Sequence, residues 1–128
     1  MTQDWSNKII LIAEDEPANY LFLEKIIKTT QALIIRAENG SEAIEHATKN
    51  PSIDLVLMDI FMPDVDGFAA AKKIKSIRPD LPIVAQTFYQ QEMDAEKYEE
   101  AGFNAVIRKP ININKLLAVL ERFLKSEV

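Results

Sequence analysis

The chain has 128 residues, enough for one domain, and 48% of them are hydrophobic, too many for a disordered polymer. Its net charge of −5 argues against sequence-independent nucleic-acid binding and against an anionic membrane surface, since both need basic residues. Cysteine is absent and His46 is the single histidine, which excludes disulfides, thiolate chemistry and Cys- or His-rich metal sites.

The first apolar run, Ile9–Ala13, predicts a strand. Pro17 then fits the first turn of a helix, where its missing N–H costs nothing. Ala18, Phe22 and Ile26, with Leu23 and Ile27, make the apolar stripe of that helix. Tyr20 and Leu21 lie beside the stripe, as scattered surface hydrophobes or as a docking face for a partner. Leu33–Arg36 predicts a short edge strand. Ser41–Lys49 predicts a second helix carrying Ala43, Ile44 and Ala47, ended by Asn50-Pro51. A third strand is expected over Ile53–Met58. A third helix follows over Gly67–Ile77, with Phe68, Ala71, Ile74 and Ile77 inward and Arg78-Pro79 closing it. Pro82–Gln86 reads as a fourth strand, and the polar, acidic Gln91–Ala101 as a fourth helix ending at Gly102. Ala105–Arg108 is the last strand. Ile113, Leu116, Leu117, Leu120, Phe123 and Leu124 give the strongest helical periodicity in the chain.

Strands and helices thus alternate as (βα)5, an α/β domain with a parallel sheet whose crossovers are right-handed. There is no internal repeat, linker or low-complexity tract. Lys72, Lys73, Lys75 and Arg78, and on the other side Glu92, Asp94, Glu96, Glu99 and Glu100, read as solvated helix faces. No apolar run approaches a membrane span and the first eight residues hold no signal-peptide core, so a soluble cytoplasmic domain is expected.

In open α/β sheets, function lies at the carboxyl ends of the strands. After the first strand come Glu14, Asp15 and Glu16; at the end of the third stands Asp59; the fourth leads to Thr87 and the fifth to Lys109. Converging carboxylates repel, each pair by roughly 4 kcal/mol at about 4 Å and an effective dielectric of about 20. A hard divalent cation such as Mg²⁺ relieves that repulsion and also accepts a phosphoryl oxygen. A carboxylate so held beside a lysine can attack phosphorus and form an aspartyl phosphate. For any one of these acidic residues a helix N-cap is the simpler reading, but not for the combination.

The segments Ile10–Pro17, Asp54–Gly67, Pro82–Thr87 and Ala101–Pro110 resemble the response-regulator receiver domain of two-component signalling, in the right order and across nearly the whole chain. The resemblance implies a doubly wound flavodoxin-like sheet of order 2-1-3-4-5 and a receiver domain spanning 1–128. The chain stops at Val128, after the fifth helix, and no output domain is expected. By the same resemblance Asp59 is the phosphoacceptor, and Glu14 and Asp15 bind Mg²⁺ with Asp59 and the Phe61 carbonyl. Thr87 is the hydroxyl that moves toward the phosphoryl group, Lys109 is its salt-bridge partner, and the Lys109–Pro110 bond is cis. The phosphoryl donor is a histidine kinase or a histidine phosphotransfer protein, and the domain acts on itself, with no separate turnover substrate. Phe61 and Tyr89 flank the path of the hydrolytic water in the family, and Phe88 adds bulk nearby, so a long-lived aspartyl phosphate is expected.

Three positions depart from the family pattern. Glu14 is one methylene longer than the usual Asp and reaches a metal directly or through water. Phe88 stands where a small residue is usual. Val106 replaces a common aromatic switch residue and has no ring to swing. The rival function class is a vestigial receiver that binds partners without phosphorylation; the intact Asp59, Thr87 and Lys109 favour the active one. A flavodoxin-type FMN site would need a Ser/Thr/Gly-rich first loop, and Glu14-Asp15-Glu16-Pro17 would repel its phosphate. His46, inside a helix, reads as a lone surface histidine. Asp64-Val-Asp66-Gly67 resembles part of a calcium loop but has Lys75 where that loop needs Glu.

Overall fold

The computed structural model describes residues 3–87 and 94–124. The elements run β1 (Ile9–Ala13), α1 (Pro17–Lys28), β2 (Leu33–Ala37), α2 (Gly40–Lys49), β3 (Leu55–Asp59) and α3 (Gly67–Ile77). They continue with β4 (Ile83–Thr87), α4 (Asp94–Ala101), β5 (Ala105–Arg108) and α5 (Ile113–Leu124). All strand pairs are parallel and the sheet order is β2-β1-β3-β4-β5, as the resemblance implies. β3 and β4 begin and end one or two residues later than the apolar runs suggest, so Asp59 and Thr87 are the last residues of their strands. Of the expected fourth helix, residues 91–93 lie outside the described residues.

Successive strand residues point to opposite faces, so each central strand supplies two cores. Ile10, Ile12, Leu55, Leu57 and Val84 pack against α1 and α5 through Leu23, Ile27, Leu116 and Leu120. Leu11, Val56, Met58, Ile83 and Ala85 pack against α2, α3 and α4 through Ala43, Ala47, Ala71, Ile74 and Tyr98. β3 and β4 are buried throughout, whereas β5 is an edge strand that exposes Val106 and Arg108.

Helix ends follow their local chemistry. Glu16, Asn39 and Asp66 cap α1, α2 and α3 by accepting from the backbone N–H three residues on. Asp66 is therefore a cap and not part of a calcium loop. In α1 the inward face is rotated from the expected stripe: Tyr20, Leu23, Ile26 and Ile27 are buried, while Ala18 and Phe22 are exposed. Ile77 and Ile113 are likewise exposed at helix ends.

Two residues of the basic patch are staples and not solvated charges. Lys75 donates to the Leu81 carbonyl at 2.7 Å and to Asn104 Oδ1 at 2.9 Å, and burial lowers its pKa. Arg78 donates to the carbonyls of Asn50, Pro51 and Ile53. In the acidic patch Glu96, Glu99 and Glu100 are exposed as expected; Glu92 and the Asp94 side chain lie outside the described residues.

Candidate functional site

Strand parity builds the site. Glu14, Asp59, Gln86 and Lys109 continue the strand face that carries Ile12, Leu57, Val84 and Ile107, on the α1–α5 side of the sheet. Pairing sets them next to one another: Ala13 is in register with Met58, and Asp59 with Gln86. The Lys109 N–H donates to the Thr87 carbonyl at 2.7 Å, tying the β4 and β5 ends together. The Lys109–Pro110 bond is cis.

Glu14, Asp15 and Asp59 each offer a carboxylate oxygen within 4.8 Å of the others. Lys109 Nζ donates to Asp59 Oδ1 at 3.3 Å and lies 3.7 Å from Glu14 Oε1. That second distance makes an ion pair but not a hydrogen bond. Among the described residues Glu14 Oε1 is fully buried without a hydrogen-bond donor, while Oε2 accepts from the Glu16 N–H at 3.1 Å. Burial first and the Asp59 charge second push the Glu14 carboxyl up to about 7. Burial also raises Asp59, against the pull of Lys109. The three acidic residues after β1 divide their work: Glu16 is the helix cap, which leaves Glu14 and Asp15 facing Asp59.

The remaining expected residues are placed as follows. Thr87 is buried at the end of β4. Phe61 is 57% exposed, in the loop after Asp59. Tyr89 and Phe88 lie outside the described residues. Val106 is 40% exposed on β5. His46 is half-buried in α2, away from this edge.

Three residues carry more than the sequence suggests. The Gln86 amide nitrogen is buried without a hydrogen-bond partner among the described residues. It lines a cleft of about 220 Å³ with Asn19, Phe22, Leu23, Lys109 and Pro110. Gly67 lets α3 start against the β3 end, since a Cβ there would lie 2.6 Å from the Asp59 carbonyl oxygen. Arg36 donates to the carbonyl of Glu14. Only Gly67 had a sequence signal, in the Asp-Gly step before a helix.

A convergent set of three carboxylates and a lysine at these strand ends matches what the family comparison finds. The response regulator receiver domain model matches residues 10–121. This chain belongs to the receiver family. A two-component response regulator of Arabidopsis thaliana, ARR22, is 36% identical over 113 residues, 87% of this chain and 80% of that protein. Two-component system protein A of Emericella nidulans is also 36% identical, over 88% of this chain, but the chain spans only 17% of that protein's length. Among solved structures, the receiver domain of the sensor histidine kinase PA1611 from Pseudomonas aeruginosa PAO1 superposes with a TM-score of 0.85 at 28% identity. The match covers 94% of this chain and 99% of that one. That receiver holds a magnesium ion coordinated in its active site cleft. The donor set here suits such an ion: hard oxygens, clustered, one of them orphaned and buried. Among the described residues no helix is long and apolar enough to cross a membrane.

Proposed function

We propose that this receiver takes a phosphoryl group onto Asp59, in a Mg²⁺-dependent reaction, from a phosphohistidine of a histidine kinase or histidine phosphotransfer protein. Phosphorylation then switches its binding to an output partner, in the cytoplasm. One observation carries most of the weight: among the described residues Glu14 Oε1 is buried with no hydrogen-bond donor, between two more carboxylates and an ammonium group. Glu14, Asp15 and Asp59 would hold the metal, with the Phe61 carbonyl as a further protein ligand. Bound there, Mg²⁺ would offset the carboxylate charge and draw phosphoryl oxygens toward Asp59. The ion in the PA1611 receiver supports the same choice of metal.

The chemistry assigned to the chain's own groups is as follows. An Asp59 carboxylate oxygen attacks phosphorus. The O–P bond forms as the N–P bond of the phosphohistidine breaks, and the electron pair leaves with the imidazole nitrogen. A protonated Asp59 would be a poor nucleophile, and burial favours protonation. Lys109, hydrogen-bonded to Asp59 Oδ1, opposes that shift and favours the charged carboxylate. After transfer its ammonium group is within reach of the phosphoryl oxygens, and the Thr87 hydroxyl supplies a second donor to them.

Incubation with acetyl phosphate and Mg²⁺ should add one phosphoryl group by intact mass, and Asp59→Asn should add none. Equal labelling of the variant would overturn the assignment of Asp59. An unlabelled wild type that also ignores Mg²⁺ would favour the phosphorylation-independent interaction module.

A further inference from the structure

The metal-binding reading assigns no role to β2, the edge strand farthest from Lys109. Yet β2 reaches the acidic pair through one side chain. Arg36 is in register with Ile12, two residues before Glu14. Its Nη2 donates to the Glu14 carbonyl at 3.1 Å and to the Asp15 carbonyl at 3.5 Å, and its Nε lies 3.4 Å from the Glu14 oxygen. The guanidinium sits over the buried Tyr20 ring, 4.4 Å from its centroid. The Tyr20 hydroxyl in turn donates to Glu24 Oε2 at 3.0 Å. The backbone of Glu14 is thereby tied at both its groups, since its own N–H donates to the Ala37 carbonyl at 3.0 Å.

We infer that Arg36, seated on Tyr20, is a positioning residue that sets Mg²⁺ affinity by fixing the backbone of Glu14 and Asp15. The inference rests on the reading that these two residues hold Mg²⁺. Carboxylates forced together repel, and a loop free to spread would relieve that repulsion when no metal is present. Binding would then have to bring the ligands back together, at a cost in affinity. A clamp on the two carbonyls removes that freedom. Arginine suits the task because its planar fork spans two adjacent carbonyl oxygens while its face stacks on an aromatic ring. Lysine can offer the charge but neither the fork nor the stack. Groups that orient metal ligands in this way are commonly worth a tenfold or larger change in affinity.

The simpler role for Arg36 is a general staple between β2 and α1, which would affect folding alone. The two are separated by variants that keep the charge near the metal, because deleting a cation would itself favour Mg²⁺. Arg36→Lys and Tyr20→Leu meet that condition, and Tyr20→Phe keeps the ring platform. Mg²⁺ dissociation constants are read by amide NMR titration at fixed pH and ionic strength, beside melting temperatures in EDTA. Arg36→Lys should weaken Mg²⁺ binding about five- to tenfold and Tyr20→Leu about threefold, with Tyr20→Phe close to wild type. At saturating Mg²⁺ the rate of labelling by acetyl phosphate should return to the wild-type value in every variant. Mg²⁺ affinity within twofold of wild type in Arg36→Lys and Tyr20→Leu, whatever their stability in EDTA, would overturn the proposal. Absence of Mg²⁺ binding by the wild-type protein would instead remove the metal reading on which it rests.

Discussion

The Glu14 carboxyl makes the metal-free protein sensitive to pH in a direction opposite to that of an ordinary salt-bridged acid. Its folded pKa is about 7, raised by burial and by Asp59, against a normal value of 4.5. Between those values the native protein holds a proton that the unfolded chain has released. Stability in EDTA should therefore fall as pH rises from about 5 to about 7.5, and Asp59, also raised, adds to the same slope. A shift of that size converts to at most roughly 3 kcal/mol across this range. Urea denaturation in EDTA at several pH values measures it, with Glu14→Gln as the comparison. The variant carries a neutral group at this position at every pH. It should lose most of the slope and be the more stable protein near neutrality. Millimolar Mg²⁺ should reverse the order by stabilising the wild type and not the variant. The reasoning fails if the two proteins show parallel pH profiles in EDTA, or if the wild type gains stability across that range.

Three further outcomes follow from particular contacts. Gln86→Leu removes a buried amide nitrogen that has no partner among the described residues, so urea denaturation should find it more stable by about 1 kcal/mol, with acetyl phosphate labelling retained. Gly67→Ala places a methyl group 2.6 Å from the Asp59 carbonyl oxygen and 2.8 Å from Ile60 Cα, both backbone atoms. It should cost about 2–4 kcal/mol in the same assay and slow labelling, because relief of the clash must move Asp59. Phe61→Asn exchanges an exposed residue beside the proposed phosphoacceptor for one that can orient water, and an aspartyl phosphate formed there should then decay faster by up to about a hundredfold. Decay at the wild-type rate would mean that the ring does not guard the phosphoryl group.

What could be read from the sequence, and what could not, divides along a physical line. The alternation of strands and helices and the placing of Glu14, Asp15, Asp59 and Lys109 at strand ends follow from apolar runs and from the residue at the end of each run, whereas the strand order rests on the resemblance to the receiver family. The runs and their end residues are local signals whose consequence is fixed by the parallel topology. The face of α1 was not legible. Residues at i and i+4 define a stripe only to within part of a turn, and the inward Tyr20 ring is packed in the core and covered by Arg36, sixteen positions away. The Arg36 clamp and the orphaned Gln86 amide depend on side chains meeting across strands. No spacing in a single segment encodes either. Lys75 and Arg78 depart from the expected solvated face for a similar reason: a charged residue on a helix looks solvated until its target carbonyls, outside that helix, are brought alongside.

The strand order also divides the chain in a way that could be put to use. β2, β1 and β3 come from one continuous stretch of sequence and β4 and β5 from another, so the sheet has a single seam, between β3 and β4, that separates the first half of the chain from the second. The link between the halves passes through Pro79 and Asp80, both exposed. A cut there leaves Glu14, Asp15 and Asp59 on one fragment and Thr87 and Lys109 on the other. Neither fragment alone has both the carboxylate cluster and the lysine beside it, so acquisition of a phosphoryl group would report reassembly of the two pieces, a split reporter whose signal is chemical and not optical.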